Sequence, residues 1–159
     1  MEKVKVLFVC TGNICRSPTA EGVLRKLVAD AGLGHRIEVE SAGTQAYHVG
    51  DPPDPRAIRS AAQRGYDLSD LRARRVERRD FERFDLLVSM DRGHHEWLLK
   101  LCPDGQFHRL RLFQDFAEAP KQLDVPDPYY GDAADYELAL DMIEPGARGL
   151  LQALERDLT

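Results

Sequence analysis

The feature that most constrains the fold is an apolar run that passes through a short polar loop directly into a helical pattern. Residues 4–9 are apolar except for Lys5 and rich in β-branched side chains, which is typical of a buried strand. Apolar residues then recur at helical spacing over residues 20–28, and Gly32 is expected to end that helix. Ser17 can cap the helix and Pro18 suits its first turn. A strand followed closely by a helix indicates a parallel α/β unit.

The rest of the chain continues this alternation. Further strands are predicted over residues 36–41, 84–90 and 109–113, helices over residues 55–64 and 93–102, and a long proline-containing loop over residues 114–128. A C-terminal amphipathic helix is predicted from Tyr136 onward, although Pro145 and Gly146 should kink or break it.

This order of elements predicts an α/β fold, a single-domain doubly wound sandwich in which a four-stranded parallel sheet is flanked by helices on both faces. The chain has 159 residues, so we expect residues 1–159 to form one domain. Sites in such folds lie at the carboxyl ends of the strands. Cys10, directly after the first predicted strand, therefore lies where chemistry is expected.

Composition and charge exclude several classes of function. The formal net charge is -5, so the chain gains no long-range attraction to nucleic acid or anionic membrane. The densest basic stretch, residues 72–79, is best interpreted as a solvated surface, with a docking patch as the alternative. The N-terminal apolar run is too short for a signal sequence or a membrane span. We therefore expect a cytoplasmic protein without membrane insertion, and a monomer.

Residues 10–17, which read Cys-Thr-Gly-Asn-Ile-Cys-Arg-Ser, carry the candidate chemistry. A loop of this length can point successive backbone N–H groups inward and form an anion nest at a helix N-terminus. Gly12 and Asn13 suit such a nest because both tolerate positive φ. Arg16 adds a planar, permanently charged fork that can bind two phosphoryl oxygens. The predicted phosphate-binding residues are Thr11, Gly12, Asn13, Ile14, Cys15 and Arg16.

Cys10 is the candidate nucleophile of this loop. A ring of N–H donors favours negative charge at its base, so the loop should stabilise the Cys10 thiolate. The alternative is that Cys10 is a small apolar residue at the end of a strand. Only three cysteines are present, which argues against stapling disulfides and makes a reactive thiol worth testing.

The string VLFVCTGNICRSPTAEG, residues 6–22, closely resembles the signature of the low-molecular-weight protein-tyrosine phosphatases. The resemblance continues at Asp127-Pro128-Tyr129-Tyr130, which is similar to the family's acid loop, and at Ser41-Ala42-Gly43, Tyr47 and Met90-Asp91. One departure is residues 69–72, Ser-Asp-Leu-Arg, where many members of the family carry a histidine. Hydrogen bonding that supports the loop is expected to differ there.

The resemblance implies hydrolysis of aryl phosphate monoesters, phosphotyrosine in particular, through a phosphocysteine intermediate. Cys10 would be the nucleophile, Arg16 the clamp on the phosphate and the transition state, and Asp127 the general acid and then the general base. The implied substrates are tyrosine-phosphorylated proteins or small aryl phosphates. No metal and no cofactor is implied, and the five histidines, without metal-ligand spacing, are interpreted as structural or surface residues.

Supporting roles are less specific in the sequence. Ser17 either hydrogen-bonds the Cys10 thiolate or caps the helix, and by resemblance Asn13 and Ser41 hold the loop open. Tyr47, Tyr129 and Tyr130 are the predicted walls of the substrate cleft, with ordinary packing as the alternative for each. Cys15 is a candidate redox partner that forms a reversible disulfide with oxidised Cys10, or else simply a filler of the loop.

Two other functions remain as alternatives at this point. An arsenate reductase can carry a similar first loop, but its disulfide relay needs two further cysteines, and only Cys102 lies beyond the loop. A non-catalytic phosphotyrosine-binding module would keep the anion nest and lose the nucleophile or the acid. Both Cys10 and Asp127 are present, which favours the phosphatase.

Overall fold

The computed structural model describes residues 3–117 and 124–158, and within them four strands form a single parallel sheet in the order β2-β1-β3-β4. The strands are β1 (Val4–Cys10), β2 (Ile37–Gly43), β3 (Leu86–Ser89) and β4 (Leu110–Leu112). The central strand β1 ends at Cys10, which pairs with Gly43 at the end of β2. The predicted parallel sheet is confirmed, and Cys10 lies at its carboxyl edge.

Helices cover both faces of the sheet, as predicted. They are α1 (Arg16–Asp30), α2 (Pro55–Gln63), α3 (Asp80–Arg83), α4 (Arg92–Leu101) and α5 (Ala133–Leu158). Successive side chains of β1 point to opposite faces. Phe8 therefore joins the core formed with α1, α2 and α5, whereas Leu7 joins a second core with Phe81 of α3 and Leu98 of α4.

Three details differ from the predictions. Helix α1 begins at Arg16 with Cys15 as its N-cap residue, so Ser17 lies inside the first turn and the predicted Ser17 cap is wrong. Helix α5 continues through Pro145, so the predicted break is also wrong. Helix α3 was not predicted, because four residues are too short a pattern to stand out in sequence.

Packing explains why α5 continues through its proline. Gly146 and Ala147 are buried, and a Cβ atom added at Gly146 would lie 2.3 Å from the Phe113 ring. Arg64, just after α2, forms ion pairs with three α5 carboxylates, those of Glu137, Asp141 and Glu144. These tertiary contacts offset the hydrogen bond that a proline removes from a helix.

The predicted long loop and the predicted absence of a membrane span are the remaining points of the fold. Part of the predicted loop over residues 114–128 lies outside the described residues, and its start is a 3-10 turn, Phe113–Phe116. None of the helices in residues 3–117 and 124–158 combines the length and the apolar character that a bilayer span needs.

Candidate active site

The polar loop after β1 surrounds Cys10. The Cys10 side chain is buried, and its Sγ atom lies 2.9 Å from Ser17 Oγ. Asn13 has a φ of 59°, as the nest geometry requires, whereas Gly12 does not adopt a positive φ, so that expectation was wrong for Gly12. Gly12 instead allows a close approach, because a Cβ atom there would lie 3.0 Å from His48 Cδ2.

The Asn13 side chain holds the loop in place through three hydrogen bonds. Its Nδ2 atom donates to Ser17 Oγ at 2.8 Å and to Ser41 Oγ at 2.9 Å, and its Oδ1 atom accepts from the backbone N–H of Arg74 at 3.0 Å. Both donors and the acceptor of the amide are therefore used. Residues 69–72, the departure from the family pattern, form side-chain hydrogen bonds with Asp67 and with one another, and the backbone of Arg74 supports the loop.

Glu21 completes this network and was not predicted. Ser41 Oγ donates to Glu21 Oε1 at 2.6 Å, and Arg25 forms an ion pair with Glu21 Oε2 at 2.6 Å. Burial is the largest influence on this carboxyl and raises its pKa. The close pairing of β2 with the loop also depends on Gly43, since a Cβ atom there would lie 2.7 Å from Thr11 O.

The Arg16 guanidinium is almost fully buried and is held from distant parts of the chain. Its Nη1 atom donates to Asp91 Oδ2 at 2.8 Å and to Val125 O at 2.9 Å. Its Nη2 atom lies 3.6 Å from Asp127 Oδ2 and 3.5 Å from His94 Nε2. The two hydrogen bonds of Nη1 thus fix the plane of the guanidinium and leave Nη2 on the side of Asp127.

Asp91 and His94 are the site residues that the functional assignment from sequence missed. Asp91 follows β3 at the carboxyl edge, a signal that could have identified it, and its Oδ1 atom caps α4 by accepting from His94 N at 2.9 Å. Thr11 Oγ1 lies 2.8 Å from His94 Nε2. Because Arg16 carries only donors, we assign Nε2 as the acceptor and place the ring proton on Nδ1.

The environment of His94 keeps it neutral. Burial, followed by the charge of Arg16, lowers its pKa to about 4. Nδ1 lies 3.1 Å from Asp91 Oδ1, but the alignment does not make a hydrogen bond. A neutral imidazole therefore lies between Thr11 and Arg16. The sequence-based interpretation of all five histidines as structural or surface residues did not include this contact of His94 with the active-site arginine.

The segment that carries Asp127 faces this loop. Asp127 Oδ1 accepts from the backbone N–H of Tyr129 at 3.1 Å, and 45% of its side chain is exposed. Arg56, at the start of α2, anchors the segment by donating to Tyr129 O at 2.8 Å and Gly131 O at 3.2 Å. Asp54 pairs with Arg56 and caps α2.

An open cleft of about 280 Å³ lies between the Cys10 loop and the segment that carries Asp127. Its lining residues are Cys10, Thr11, Gly12, Ile14, Cys15, Arg16, Tyr47, His48, Asp127, Tyr129 and Tyr130. Asn13, Ser17 and Ser41 lie behind it. The rings of Tyr129 and Tyr130 meet edge to face at 4.8 Å, and Tyr47 and Tyr130 are 80% and 93% exposed. The cleft is thus aromatic at its walls and polar at its base.

Cys15 lies on the α5 side of the same cleft. Its Sγ atom is 3.5 Å from Tyr136 OH, and burial raises the pKa of the thiol to about 12. Cys15 is therefore a neutral thiol in the reduced protein, and its disulfide with Cys10 stays a prediction. Within the described parts of the chain, no cluster of three or more His, Cys, Asp or Glu residues could hold a metal ion.

A larger cavity of about 620 Å³, between Phe116 and α5, contains none of the predicted site residues. We place the active site in the smaller cleft because it brings together a thiol, a fixed guanidinium and a carboxylate.

Comparison with known proteins identifies the family. The model of the family described as low molecular weight phosphotyrosine protein phosphatase matches residues 5–159. The chain belongs to this family. Its members are phosphoric monoester hydrolases, and this protein is therefore a low-molecular-weight phosphatase, as the resemblance implied.

Relatives of the phosphatase match over nearly its whole length. The low molecular weight protein-tyrosine-phosphatase of Streptomyces coelicolor is 47% identical, with 97% of this chain and 95% of the relative covered. The human low molecular weight phosphotyrosine protein phosphatase is 37% identical, with 92% and 93% covered.

Solved structures of similar phosphatases have the same fold. A protein tyrosine phosphatase from Entamoeba histolytica, crystallised with Hepes in the active site, superposes with a TM-score of 0.95 at 36% identity, covering 99% of this chain and 100% of the other. Vibrio vulnificus Wzb in complex with benzylphosphonate has a TM-score of 0.82 at 31% identity, covering 94% and 98%.

Proposed function

We propose that this phosphatase hydrolyses aryl phosphate monoesters, and phosphotyrosine in particular, through a phosphocysteine intermediate. The observation that carries the proposal is that Cys10, Arg16 and Asp127 line one cleft with three tyrosines at its walls. A nucleophile, a transition-state clamp and a proton donor in one site are the parts that a two-step phosphoryl transfer needs.

In the first step, the Cys10 thiolate attacks phosphorus while the bond to the departing phenolate oxygen breaks. The Ser17 hydroxyl, 2.9 Å from Sγ, can donate to the thiolate. Asp127 gives its proton to the phenolate oxygen, so the leaving group departs as a neutral phenol. The phosphoryl group is then bonded to Cys10 Sγ, and Asp127 is left ionised.

In the second step, water attacks the phosphorus of the phosphocysteine. The Asp127 carboxylate accepts a proton from this water, the S–P bond breaks, and Cys10 leaves as a thiolate with release of inorganic phosphate. The enzyme returns to its starting state without any external redox or metal reactant.

Arg16 stabilises the charge that spreads over the equatorial phosphoryl oxygens in both steps. Its hydrogen bonds to Asp91 and Val125 orient the guanidinium before substrate arrives. Donors that are already oriented cost no reorganisation as the charge develops. Backbone N–H groups of the loop from Thr11 to Arg16 complete the anion site.

The walls of the cleft favour an aromatic leaving group. Tyr47, Tyr129 and Tyr130 offer ring surfaces above the Cys10 loop, where the phenyl ring of phosphotyrosine can stack. The relative from Vibrio vulnificus binds benzylphosphonate, in which an aromatic ring stands one carbon from a phosphonate. Phosphotyrosyl proteins or small aryl phosphates are the substrates that this shape fits.

The test compares two aryl phosphates that differ in leaving-group acidity, with a chelator present. Native protein should hydrolyse both, and Cys10→Ser should abolish both activities. Asp127→Asn should lose on the order of 10²-fold or more in kcat/KM for phenyl phosphate, and much less for dinitrophenyl phosphate, whose leaving group needs no proton.

Asp124→Asn is the matched control, because Asp124 pairs with Arg92 and does not line the cleft. It should leave both rates nearly unchanged. Hydrolysis that survives Cys10→Ser, or an Asp127→Asn loss in kcat/KM that is equal for both substrates, contradicts the assigned roles.

A further inference from the structure

A second groove, of about 260 Å³, lies between the basic stretch at residues 75–78 and helix α4, and we call it the α4 groove. Phe81, Trp97 and Leu101 provide apolar surface in it, and Leu101 is 49% exposed. Arg75, Glu77 and Arg78 are the charged residues that line it. An apolar floor between charged side chains is the kind of surface that binds an amphipathic chain segment.

The positive charges of the α4 groove are not neutralised. Within residues 3–117 and 124–158, neither Arg75 nor Arg78 pairs with a carboxylate. Arg75 donates to Thr44 O at 3.3 Å, and its guanidinium lies 6.0 Å from the centre of the Trp97 ring. Glu77, in contrast, is paired with Arg79. The groove therefore presents two exposed cations beside apolar surface.

Two other arginines of the same stretch do not line the groove. Arg74 forms ion pairs with Asp80 at 3.0 Å and Glu40 at 3.6 Å. Arg72 donates to the backbone carbonyls of Ser69 and Leu71 and does not line the groove. The α4 groove thus brings together two arginines that have no carboxylate partner among the described residues, on a chain whose net charge is -5.

The backbone links the α4 groove to the active-site loop. Cys10 pairs with Gly43, and Gly43 forms a β-bridge with Arg75. Two steps between adjacent strands place the Arg75 backbone about 10 Å from that of Cys10. An extended peptide of roughly three to six residues spans the distance from the cleft to the groove, at about 3.3 Å per residue.

We propose that the α4 groove binds an acidic segment with an apolar side chain, located roughly three to six residues from the phosphotyrosine of a protein substrate. The inference rests on the proposed function, and it specifies which phosphoproteins the enzyme selects. Carboxylates of the segment pair with Arg75 and Arg78, and its apolar side chain packs on Trp97 and Leu101.

The kinetic test uses the double variant Arg75→Glu with Arg78→Glu. Its substrates are para-nitrophenyl phosphate, a phosphotyrosyl peptide with an acidic and apolar segment at that spacing, and the same peptide with lysines in place of the acidic residues. The variant should hydrolyse the small substrate at the native rate. Its kcat/KM for the acidic peptide should fall about tenfold, mainly through KM, and that for the lysine peptide should rise.

Arg72→Glu with Arg83→Glu is the matched control, because both side chains are exposed, lie outside the groove and produce the same change in net charge. It should change neither peptide's kcat/KM by more than about twofold. Equal losses in the two double variants would show a general charge effect and overturn the proposal. Failure to hydrolyse para-nitrophenyl phosphate in the native protein would instead overturn the proposed function.

A binding test is independent of turnover. Trp97 is the only tryptophan of the chain, so its fluorescence reports on the α4 groove alone. Adding the acidic segment without phosphotyrosine should shift the emission of native protein, and not that of the Arg75→Glu, Arg78→Glu variant. An unchanged emission in native protein overturns the proposal, as does a dimer that the double variant dissociates, since the groove would then hold a second copy of the chain.

Discussion

The two sides of the active-site cleft are built differently. On one side, the loop from Cys10 to Arg16 is fixed by buried side chains, since Asn13 alone bonds Ser17, Ser41 and the backbone of Arg74. On the other side, Asp127 is nearly half exposed, and its segment is anchored through backbone carbonyls that Arg56 binds.

The difference matches what each side does in the proposed reaction. Charge develops on the phosphoryl group, and donors that are fixed in advance stabilise it best. The proton donor must reach the leaving oxygen and then the water that replaces it, so access to solvent is an advantage there. Substitutions that disrupt the Cys10 loop should therefore lower both the free energy of unfolding and the catalytic rate. Substitutions in the Asp127 segment should lower the rate alone.

Among variants that test the two sides of the cleft and keep Cys10, the largest effect is expected for Arg16→Lys. A lysine keeps the charge but cannot bind Asp91, Val125 and two phosphoryl oxygens together. We expect kcat for an aryl phosphate to fall on the order of 10²–10³-fold, with a smaller change in KM. Arg25→Lys, on the same helix and outside the cleft, should stay near the native rate. A loss below tenfold for Arg16→Lys would show that charge alone, rather than the planar fork, carries catalysis.

Asn13→Ala tests the coupling within the loop. It removes the hydrogen-bond partner that Ser17, Ser41 and the backbone N–H of Arg74 share, and it puts alanine at a φ of 59°, which asparagine tolerates better. We expect about 2–4 kcal/mol lower unfolding free energy and at least about tenfold lower kcat.

The comparison for Asn13→Ala is Asp127→Asn, which should lose activity with a change in unfolding free energy within about 0.5 kcal/mol. Urea unfolding and steady-state kinetics measure both quantities. If both variants are destabilised equally, the distinction between the two sides of the cleft does not hold.

His94 predicts how stability on the loop side depends on pH. Its pKa of about 4 lies below the ordinary histidine value, so between pH 6.5 and pH 4 the unfolded chain binds a proton that the folded protein does not. Stability should fall as the pH is lowered through this window, by at most about 3 kcal/mol from this residue.

His94→Gln keeps an acceptor near Thr11 and Arg16 and removes the titrating group. Urea unfolding of this variant and the native protein, from pH 7 to pH 4, should give curves that diverge towards acid, with the native protein losing more stability. Parallel curves would mean that the pKa of His94 is the same in the folded and the unfolded protein. His94→Leu, which removes the acceptor, should lower kcat at pH 7 where His94→Gln retains most of it.

The smallest effect is expected for Tyr130→Ala. The side chain is 93% exposed, and its ring meets Tyr129 at the mouth of the cleft. We expect kcat/KM for aryl phosphates to fall a few-fold, roughly the value of one aromatic contact, without a measurable change in unfolding temperature. Tyr130→Phe should be close to native. A clear loss of thermal stability would show that the Tyr130 side chain contributes to packing and is not merely a wall of the cleft.

The sequence predicted what is local in the chain. Strand β1, the Cys10 loop and the start of α1 form one uninterrupted run, and periodicity alone indicates that unit. The sequence did not predict the partners of Arg16, because Asp91 and Val125 are separated from it by 75 and 109 residues. Pairing over such distances depends on how the strands assemble.

Ser17 and Pro145 show the second limit of the sequence. Each carries a strong local preference, for a helix cap and a helix break respectively, and in each case tertiary contacts prevail. Ser17 bonds Cys10 and Asn13, and Pro145 lies beside the buried Gly146 on α5. Local propensity is worth about 1–3 kcal/mol at such positions, and a buried network or a packed helix exceeds it.

The hydrogen bond from Arg16 to Val125 also has a consequence for protein synthesis. Its two residues are 109 positions apart, so a chain growing on a ribosome completes the Cys10 loop long before its arginine can be held. Chains that stop before residue 125 carry the whole signature sequence and yet lack this contact. The orientation of the Arg16 guanidinium is therefore completed only when synthesis is nearly finished.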